Sequence, residues 1–250
     1  MRGLKGKRVV LTGGASGIGR ATAIRLVEEG CVVGIFDLDE NGTAQTIDAC
    51  REGPGKAFGY KVDISHYAEV ARAAEAFEAA AGPVELLANI AGWDKAAPFL
   101  ETDLALWDKI IRINLYGPLH LHHVVVQGMA ARGFGRVLNV SSDAGRVGSS
   151  GESVYSACKG GIIAFTKTMA RELARRGVTL NVICPGPTDT PLFASFANDK
   201  LKEALARAIP LGRLGQPEDY PGAIAFLLSD DAAYITGQTI SISGGLTMHG

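Results

Sequence analysis

The sequence predicts an α/β domain in which a doubly wound parallel sheet of about seven strands carries helices on both faces. Three observations lead to this fold class. Short, nearly continuous apolar runs alternate regularly with amphipathic stretches, which is typical of a parallel sheet covered on both sides. A glycine-rich turn joins the first apolar run to the first amphipathic stretch. Polar residues recur where the apolar runs end. No linker interrupts the alternation, so residues 1–250 are predicted to form a single domain.

The elements follow in order along the chain. The apolar runs predict strands at 8–12, 31–36, 56–62, 84–89, 135–141, 178–184 and 238–243. The amphipathic stretches predict helices at 20–29, 41–51, 66–80, 103–131, 153–176 and 217–229. Residues 186–216 read as a looser segment between the last two helices.

Composition limits the function. The chain has 250 residues, 47% of them hydrophobic, which is enough for one large core. Its net charge of −1 gives no electrostatic reason to expect a nucleic acid or a membrane as a partner. No apolar run is long enough to cross a bilayer, and the basic start lacks a signal-peptide apolar stretch. The scattered cysteines indicate a reducing compartment, so a cytoplasmic protein is expected: Cys31, Cys50, Cys158 and Cys184.

The glycine-rich turn, T-G-G-A-S-G-I-G at 12–19, lies between the first strand and the first helix. Glycines let the backbone approach a pyrophosphate closely, and the helix N-terminus supplies free N–H groups. The glycines stand at Gly13-x-x-x-Gly17-x-Gly19 rather than in the usual G-x-G-x-x-G spacing. A tight turn without a ligand is the alternative, but the flanking strand and helix favour a dinucleotide in a Rossmann-type domain.

Asp37 ends the second strand, about 20 residues beyond the turn, where an acidic side chain typically accepts hydrogen bonds from the adenosine ribose. Its charge would repel a 2′-phosphate, and no basic residue lies in the turn or immediately after Asp37 to neutralise one. NAD is therefore predicted over NADP. The alternative is a helix-capping role for this acidic stretch, although Asp39 is also placed to cap.

Tyr155 and Lys159 stand four residues apart, so on a helix they share one face, and Ser142 ends a separate strand. A phenol has an ordinary pKa of about 10, which a neighbouring ammonium lowers. Ser142 is placed to hydrogen-bond a substrate oxygen. The trio predicts proton transfer to a ketone or from an alcohol, although a Tyr-x-x-x-Lys pair alone also occurs on ordinary helices.

From end to end, the chain resembles the short-chain dehydrogenase/reductase family. The matching motifs are T-G-G-A-S-G-I-G at 12–19, N-I-A-G at 89–92, Asn114, S-S at 141–142, Y-x-x-x-K at 155–159 and P-G-P-T at 185–188. The family's second asparagine in N-N-A-G is Ile90 here, which removes one amide from that turn.

The resemblance implies roles for these residues. Tyr155 is the acid or base, Ser142 orients the substrate oxygen, Lys159 lowers the tyrosine pKa and holds the nicotinamide ribose, and Asn114 holds a proton-relay water. Without the resemblance, Asn114 reads as an unfavourable helix residue or a kink. The implied NAD-binding set adds residues along the predicted strand ends: Gly13, Ser16, Gly17, Ile18, Gly19, Asp37, Asp63, Ile64, Asn89, Gly92, Tyr155, Lys159, Pro185, Gly186 and Thr188. The resemblance also implies a homotetramer and a substrate lid around residues 187–210.

The substrate is a small molecule with a secondary alcohol or ketone. The motifs G-W-D at 92–94, R-V-G-S-S-G-E at 146–152 and C-P-G-P-T-D-T at 184–190 are similar to those of 2-hydroxycyclohexanecarboxyl-CoA dehydrogenases. That similarity implies NAD-dependent oxidation of a hydroxy-alicyclic acyl-CoA. A dehydrogenase of free cyclic or aryl alcohols and a 3-oxoacyl reductase are the alternatives within the reaction class. A non-catalytic NAD-binding sensor or scaffold is the alternative from another class.

Three histidines on the fourth predicted helix do not indicate a metal. His120, His122 and His123 lie at i, i+2 and i+3, a spacing that does not converge on one helical face. A partly exposed helix surface, with a role in an oligomer contact, is the expectation, and no metal is predicted.

Overall fold

Seven strands form one parallel sheet: β1 (Arg8–Thr12), β2 (Val32–Asp37), β3 (Lys56–Lys61), β4 (Leu86–Asn89), β5 (Gly135–Val140), β6 (Val178–Pro185) and β7 (Thr239–Ile242). Their order across the sheet is β3-β2-β1-β4-β5-β6-β7. The order reverses between β1 and β4, which opens a crevice at the carboxyl edge. The computed structural model describes residues 1–248, so the last two residues of the predicted 1–250 domain lie outside it.

Within residues 1–248, ten α-helices connect or follow the strands: α1 (Gly17–Glu28), α2 (Glu40–Ala49), α3 (Tyr67–Ala81), α4 (Leu104–Ile111), α5 (Gly117–Arg132), α6 (Ala144–Val147), α7 (Ser153–Leu173), α8 (Pro191–Ala194), α9 (Asp199–Ala208) and α10 (Pro221–Leu228). The predicted α/β class and doubly wound sheet are confirmed. The looser segment at 186–216 contains two helices, α8 and α9, which the sequence did not predict. Within residues 1–248, no helix has both the length and the apolar character needed to span a membrane.

The sheet is buried on both faces, which explains its apolar strands. Successive side chains of a strand point to opposite faces. Accordingly, Val9 and Leu11 belong to a cluster with α1 and α10, whereas Val10 belongs to a cluster with α3 and α5. All four cysteines are buried and free, as expected for small apolar side chains: Cys31, Cys50, Cys158 and Cys184.

The helical stretch predicted over 103–131 is present, and a π-helical turn at Arg112–Tyr116 joins α4 to α5 within it. Asn114 lies in this stretch, and its Nδ2 donates to the backbone oxygen of Ile110 at 2.9 Å. A side chain that competes for a helical carbonyl disturbs the regular bonding, as the sequence reading of Asn114 anticipated. The interruption places the Asn114 side chain at the carboxyl edge of the sheet, beside Trp93.

A buried polar network joins the centre of the sheet to the helices behind it. Asn89 Nδ2 donates to Asn139 Oδ1 at 2.8 Å, and Asn139 Nδ2 donates to Thr166 Oγ1 at 2.8 Å. The His122 ring lies 3.3 Å from Asn139 Nδ2 and bonds the oxygen of Pro118 through Nδ1. Burial lowers the pKa of His122 to about 4, so the ring is neutral at physiological pH. The network links β4, β5, α5 and α7 below the carboxyl edge.

Candidate active site

The glycine-rich turn has the geometry of a dinucleotide site. Gly13 has a φ of 77°, and a Cβ there would lie 2.8 Å from the Cα of Ala91. A Cβ at Gly19 would lie 1.9 Å from the oxygen of Gly13, so only glycine lets α1 start this close to β1. Ser16, just before Gly17 begins α1, is exposed, and its side chain forms no capping bond. These residues form a cradle that fits a pyrophosphate at a helix N-terminus.

Asp37 faces this cradle. One carboxylate oxygen accepts from the backbone N–H of Ala15 at 2.9 Å, and the other accepts from that of Asp39 at 3.0 Å. The capping role belongs to Asp39, whose side chain accepts from Gly42 N at 3.0 Å. The alternative of a helix-capping Asp37 is therefore wrong. Fixed by two backbone bonds, its carboxylate retains lone pairs for ribose hydroxyls.

The nearest arginine to this carboxylate is already engaged. Arg20 donates to the oxygen of Ala15 at 2.6 Å, to Thr46 Oγ1 at 3.1 Å and to Gln45 Oε1 at 3.1 Å. These bonds hold its guanidinium against α2. The charge that a ligand meets beside Asp37 is consequently negative.

Asp63 and Ile64 follow β3 at the same edge. Asp63 Oδ1 accepts from Ser65 N at 2.9 Å, which shapes the turn before α3. Ile64 is buried and packs against Gly117, the first residue of α5. Its backbone oxygen lies 2.9 Å from His120 Nδ1. The pair forms an apolar and acidic wall beyond Asp37, where the resemblance places the adenine.

Asn89 and Gly92 lie at the end of β4. The Asn89 side chain turns into the polar network below the site, where it donates to Asn139. The next residues are held by Thr12, whose Oγ1 accepts from both Ile90 N and Ala91 N at 3.0 and 3.1 Å. The sequence motifs did not predict this link between β1 and β4.

Strand β6 ends at Pro185, and Gly186 and Thr188 come just after it. The oxygen of Pro185 accepts from Asp143 N at 3.0 Å. Thr188 is buried; its hydroxyl donates to the oxygen of Gly186 at 2.8 Å and bonds the Tyr220 hydroxyl. The segment is thereby fixed beside the end of β5, although the Thr188 hydroxyl is occupied within the protein.

Ser142, Tyr155 and Lys159 meet at the carboxyl end of β5. Tyr155 lies in the first turn of α7, and its hydroxyl interacts with the side chain of Ser142. Lys159 lies one turn later and donates from Nζ to the oxygen of Val140 at 3.0 Å. Ser141 fixes α7 here, because its Oγ donates to the oxygen of Lys159 at 2.8 Å. The fold thus brings together the three residues that the sequence grouped.

The pKa of Tyr155 was predicted to be lowered by Lys159, but in the structure it is raised. Burial raises the pKa of the phenol, and the negative charges of Glu152 and Asp94 raise it further, whereas the Ser142 hydrogen bond lowers it. Lys159 does not reverse this effect, because its Nζ lies 5.4 Å from the centre of the tyrosine ring and bonds Val140 instead. Burial also lowers the pKa of Lys159 to about 8. In this arrangement the phenol is protonated at neutral pH, so it carries the proton that ketone reduction needs.

Two carboxyl groups beside Tyr155 were not predicted to act together. Asp94 and Glu152 each appeared in a stretch expected to line the pocket, but nothing in the sequence spacing joins residues 58 positions apart. In the structure they interact, and burial together with Glu152 raises the pKa of Asp94 to about 6. A pair of carboxyl groups with a shifted pKa, next to the proposed catalytic residues, indicates a functional site.

The three histidines go to three different places. His120 lies against Ile64, His122 is buried in the network behind β4 and β5, and His123 Nδ1 lies 2.9 Å from the hydroxyl of Tyr67. The expected partly exposed surface is therefore wrong for His122, whose side chain α5 turns into the core. Among the described residues, no three His, Cys, Asp or Glu side chains are grouped as a metal would require.

Comparison with known proteins agrees with this geometry. Residues 13–247 match the family described as enoyl-(acyl carrier protein) reductase. The 3-oxoacyl-(acyl-carrier-protein) reductase FabG of Thermotoga maritima is 36% identical over 98% of this chain and 99% of its own length. The acetoacetyl-CoA reductase of Shinella zoogloeoides is 39% identical over 94% of this chain and 96% of its own. The crystal structure of levodione reductase has a TM-score of 0.93 and 31% identity, covering 96% of this chain and 97% of that one.

A seven-stranded Rossmann sheet with Ser142, Tyr155 and Lys159 at its carboxyl edge defines a nicotinamide-dependent oxidoreductase of alcohols and ketones. With its length matched almost completely, the chain belongs to the short-chain dehydrogenase/reductase family. It is an enzyme, and the sensor or scaffold alternative is set aside.

Proposed function

We propose that the protein is an NAD-dependent dehydrogenase that interconverts a secondary alcohol and a ketone on an alicyclic acyl-CoA, such as 2-hydroxycyclohexanecarboxyl-CoA. One observation supports this reaction. Ser142, Tyr155 and Lys159 lie together at the carboxyl end of β5, on the same edge of the sheet as Asp37. The first three handle the substrate oxygen, and Asp37 selects the cofactor.

In this proposal, the bound nicotinamide accepts or supplies the hydride, and the protein moves the proton and positions the reactants. Ser142 donates a hydrogen bond to the substrate oxygen. Tyr155 gives its proton to that oxygen in ketone reduction and removes it in alcohol oxidation. Lys159 holds the nicotinamide ribose, and its charge favours the phenolate that forms after the proton leaves. Asn114 holds the water that returns protons to Lys159.

The cofactor residues surround the crevice in the same proposal. The turn from Gly13 to Gly19, with Ser16 and Ile18, holds the pyrophosphate at the start of α1. Asp37 accepts from the adenosine ribose hydroxyls and repels a 2′-phosphate, which favours NAD over NADP. Asp63 and Ile64 border the adenine. The nicotinamide end lies toward the remaining members of the set: Asn89, Gly92, Pro185, Gly186 and Thr188.

The substrate chamber combines apolar walls with a helical cover. Trp93 lies before the buried Asp94, and its ring carries the ammonium of Lys109 at 3.8 Å from the centroid. Phe193 and Phe196 pack edge to face at 5.4 Å in the segment 187–210, which acts as the lid. In this proposal the apolar ring of the substrate lies between these side chains, and its CoA lies toward the basic residues of α9. Lys202 there pairs with Asp189 at 3.3 Å and Arg207 pairs with Glu203 at 3.9 Å, so Lys200 is the better candidate for a CoA phosphate.

A second candidate is the reduction of a 3-oxoacyl thioester. It is favoured by the names of the similar proteins, 3-oxoacyl-(acyl-carrier-protein) reductase and acetoacetyl-CoA reductase. A cytoplasmic homotetramer completes the proposal and rests on the family resemblance.

Initial rates with a set of substrates distinguish these candidates. We expect NAD reduction by 2-hydroxycyclohexanecarboxyl-CoA to exceed that by the free hydroxy acid and by cyclohexanol. NADH oxidation by acetoacetyl-CoA is measured in parallel. Faster turnover of acetoacetyl-CoA would replace the alicyclic substrate by the 3-oxoacyl one. Equal or better turnover of the free acid would remove the CoA thioester from the proposal.

A further inference from the structure

The carboxyl group of Asp94 is buried in the proposed substrate chamber, and the protein satisfies it only in part. Asp94 is only 5% exposed, and its Oδ2 has no hydrogen-bond partner among the described residues. A buried acceptor without a donor is costly, and an ionised one is more costly still. Such groups cluster at binding and catalytic sites, where a ligand supplies what the protein does not.

The position of Asp94 is fixed from both sides. On one side, the Asn114 side chain bonds both the N–H and the oxygen of Trp93, the preceding residue. On the other side, Ala97 N donates to the oxygen of Gly151 at 2.9 Å, which ties this loop to the residues just before α7. A Cβ at Gly92 would lie 3.3 Å from Lys159 Nζ, so the loop passes directly over the catalytic lysine.

A second carboxylate approaches from the start of α7. Glu152 precedes Ser153 and lies one helical turn before Ser156, whose N–H donates to the oxygen of Glu152 at 2.7 Å. The Glu152 side chain forms no capping bond to α7 and instead interacts with Asp94. Asp94 and Glu152 therefore form an acidic pair on the substrate side of Tyr155.

The groups that face this pair leave the chamber negative. They are Tyr155, which is protonated, the thiol of Cys158, whose pKa burial raises, and the ammonium of Lys159. Lys159 alone is positive, and its Nζ is held by the oxygen of Val140. Two carboxyl groups thus face one ammonium beside Tyr155, so acidic side chains outnumber basic ones among these groups.

We propose that Asp94 and Glu152 determine specificity by excluding an anionic substituent next to the reacting carbon and by accepting a hydrogen bond from a neutral substrate. This inference deepens the proposed function and rests on it for the type of reaction. A free carboxylate beside the reacting hydroxyl would meet like charges at short range, whereas an ester or thioester at the same position is neutral. The pair thus gives a physical reason for an acyl thioester: esterification removes the charge that the chamber rejects.

Two compounds that differ only in this charge test the proposal. They are 2-hydroxycyclohexanecarboxylate and its methyl ester, which has no CoA and therefore isolates the chamber from any phosphate contact. We expect the wild-type enzyme to prefer the ester in kcat/KM by about 10- to 100-fold, the effect of like charges a few ångströms apart at intermediate dielectric. Asp94→Asn and Glu152→Gln should each lower this preference at least severalfold, through a lower KM for the acid.

Glu101→Gln is the matched control, since it removes an exposed carboxylate outside the pair and leaves the pair intact. It should keep the wild-type preference. A preference unchanged in Asp94→Asn and Glu152→Gln, or changed equally in Glu101→Gln, overturns the proposal. A merely structural Asp94 would lower turnover of both compounds alike.

The proposed function can fail separately. If the wild-type enzyme oxidises neither compound, the alicyclic reaction is wrong, and the affinities of the enzyme–NADH complex for ester and acid are compared by calorimetry. A tenfold preference for the ester that is lost in Asp94→Asn still supports the acidic pair, whereas equal or undetectable affinities overturn it.

Discussion

Asn114 holds both polar groups of the Trp93 backbone: its Oδ1 accepts from Trp93 N at 3.2 Å, and its Nδ2 donates to Trp93 O at 2.6 Å. The same Nδ2 donates to Ile110 O in the helix that precedes the π-helical stretch. One fully buried amide therefore joins the helix interruption to the loop that carries Asp94. This contact makes Asn114 a positioning residue for the substrate chamber, in addition to the water-holding role proposed for it.

Asn114→Ala should test that contact. It removes three hydrogen bonds and leaves buried backbone groups of Trp93 unpaired, so the free energy of unfolding should fall by about 2 kcal/mol. Since the loop over the chamber loosens, KM for substrate should rise while NADH affinity changes little. Urea denaturation, steady-state kinetics and NADH fluorescence titration measure the three quantities. Unchanged stability would contradict the bonding described.

Tyr155→Phe should abolish turnover, because it removes the only proton that the proposed mechanism passes directly to the substrate oxygen. NADH binding should remain nearly intact, since the ring stays in place. Tyr116→Phe is a suitable control: Tyr116 is 48% exposed and stacks on His120. Activity close to wild type in Tyr155→Phe would refute the mechanism.

Asp37→Ala should relax the preference for NAD. Removing the carboxylate removes the repulsion of a 2′-phosphate and the acceptor for the ribose hydroxyls, so kcat/KM with NADP should rise relative to NAD by tenfold or more. Asp39→Asn is the control, because it removes a nearby charge while an amide oxygen still caps α2. An unchanged cofactor ratio in Asp37→Ala would remove Asp37 from the ribose.

The two reaction directions should depend differently on pH. The raised pKa of Tyr155 keeps the phenol protonated, so ketone reduction should have a nearly constant kcat/KM between pH 6 and about 8. Alcohol oxidation needs the phenolate. At pH values below the pKa of Tyr155, the phenolate fraction increases up to tenfold for each unit by which the pH rises. Its kcat/KM should therefore rise with pH over the same range. A pH-independent oxidation rate would contradict the raised pKa.

Asp94 should destabilise the folded protein above its pKa. Its pKa is raised from 3.8 to about 6, so between these values the folded state binds more protons than the unfolded chain. The free energy of unfolding therefore falls as the pH rises from about 4 to about 6, by up to about 3 kcal/mol, and the loss persists at pH 7. Asp94→Asn should raise the Tm at pH 7.5 and have little effect at pH 4. Equal effects at both pH values would contradict a buried charge.

The strands, the glycine turn and the convergence of polar residues on one sheet edge were predictable, because periodicity and turn chemistry are local properties of the chain. Tyr155 and Lys159 were predictable as a pair for the same reason, since four residues on a helix fix their common face. The capping role of Asp39 was also predictable, because Asp39 accepts from the N–H of Gly42, only three residues later in the chain.

Other features depend on contacts between distant segments. The sequence by itself determined the fold class, the glycine-rich turn and the grouping of Ser142, Tyr155 and Lys159. Only the tertiary structure decided the interruption at Asn114, the inward turn of His122 and the direction of the Tyr155 pKa shift. Each of these depends on burial and on a partner far along the chain, such as Trp93, Asn139 or Asp94. Desolvation and long-range pairing are properties of the packed molecule, and no local spacing encodes them.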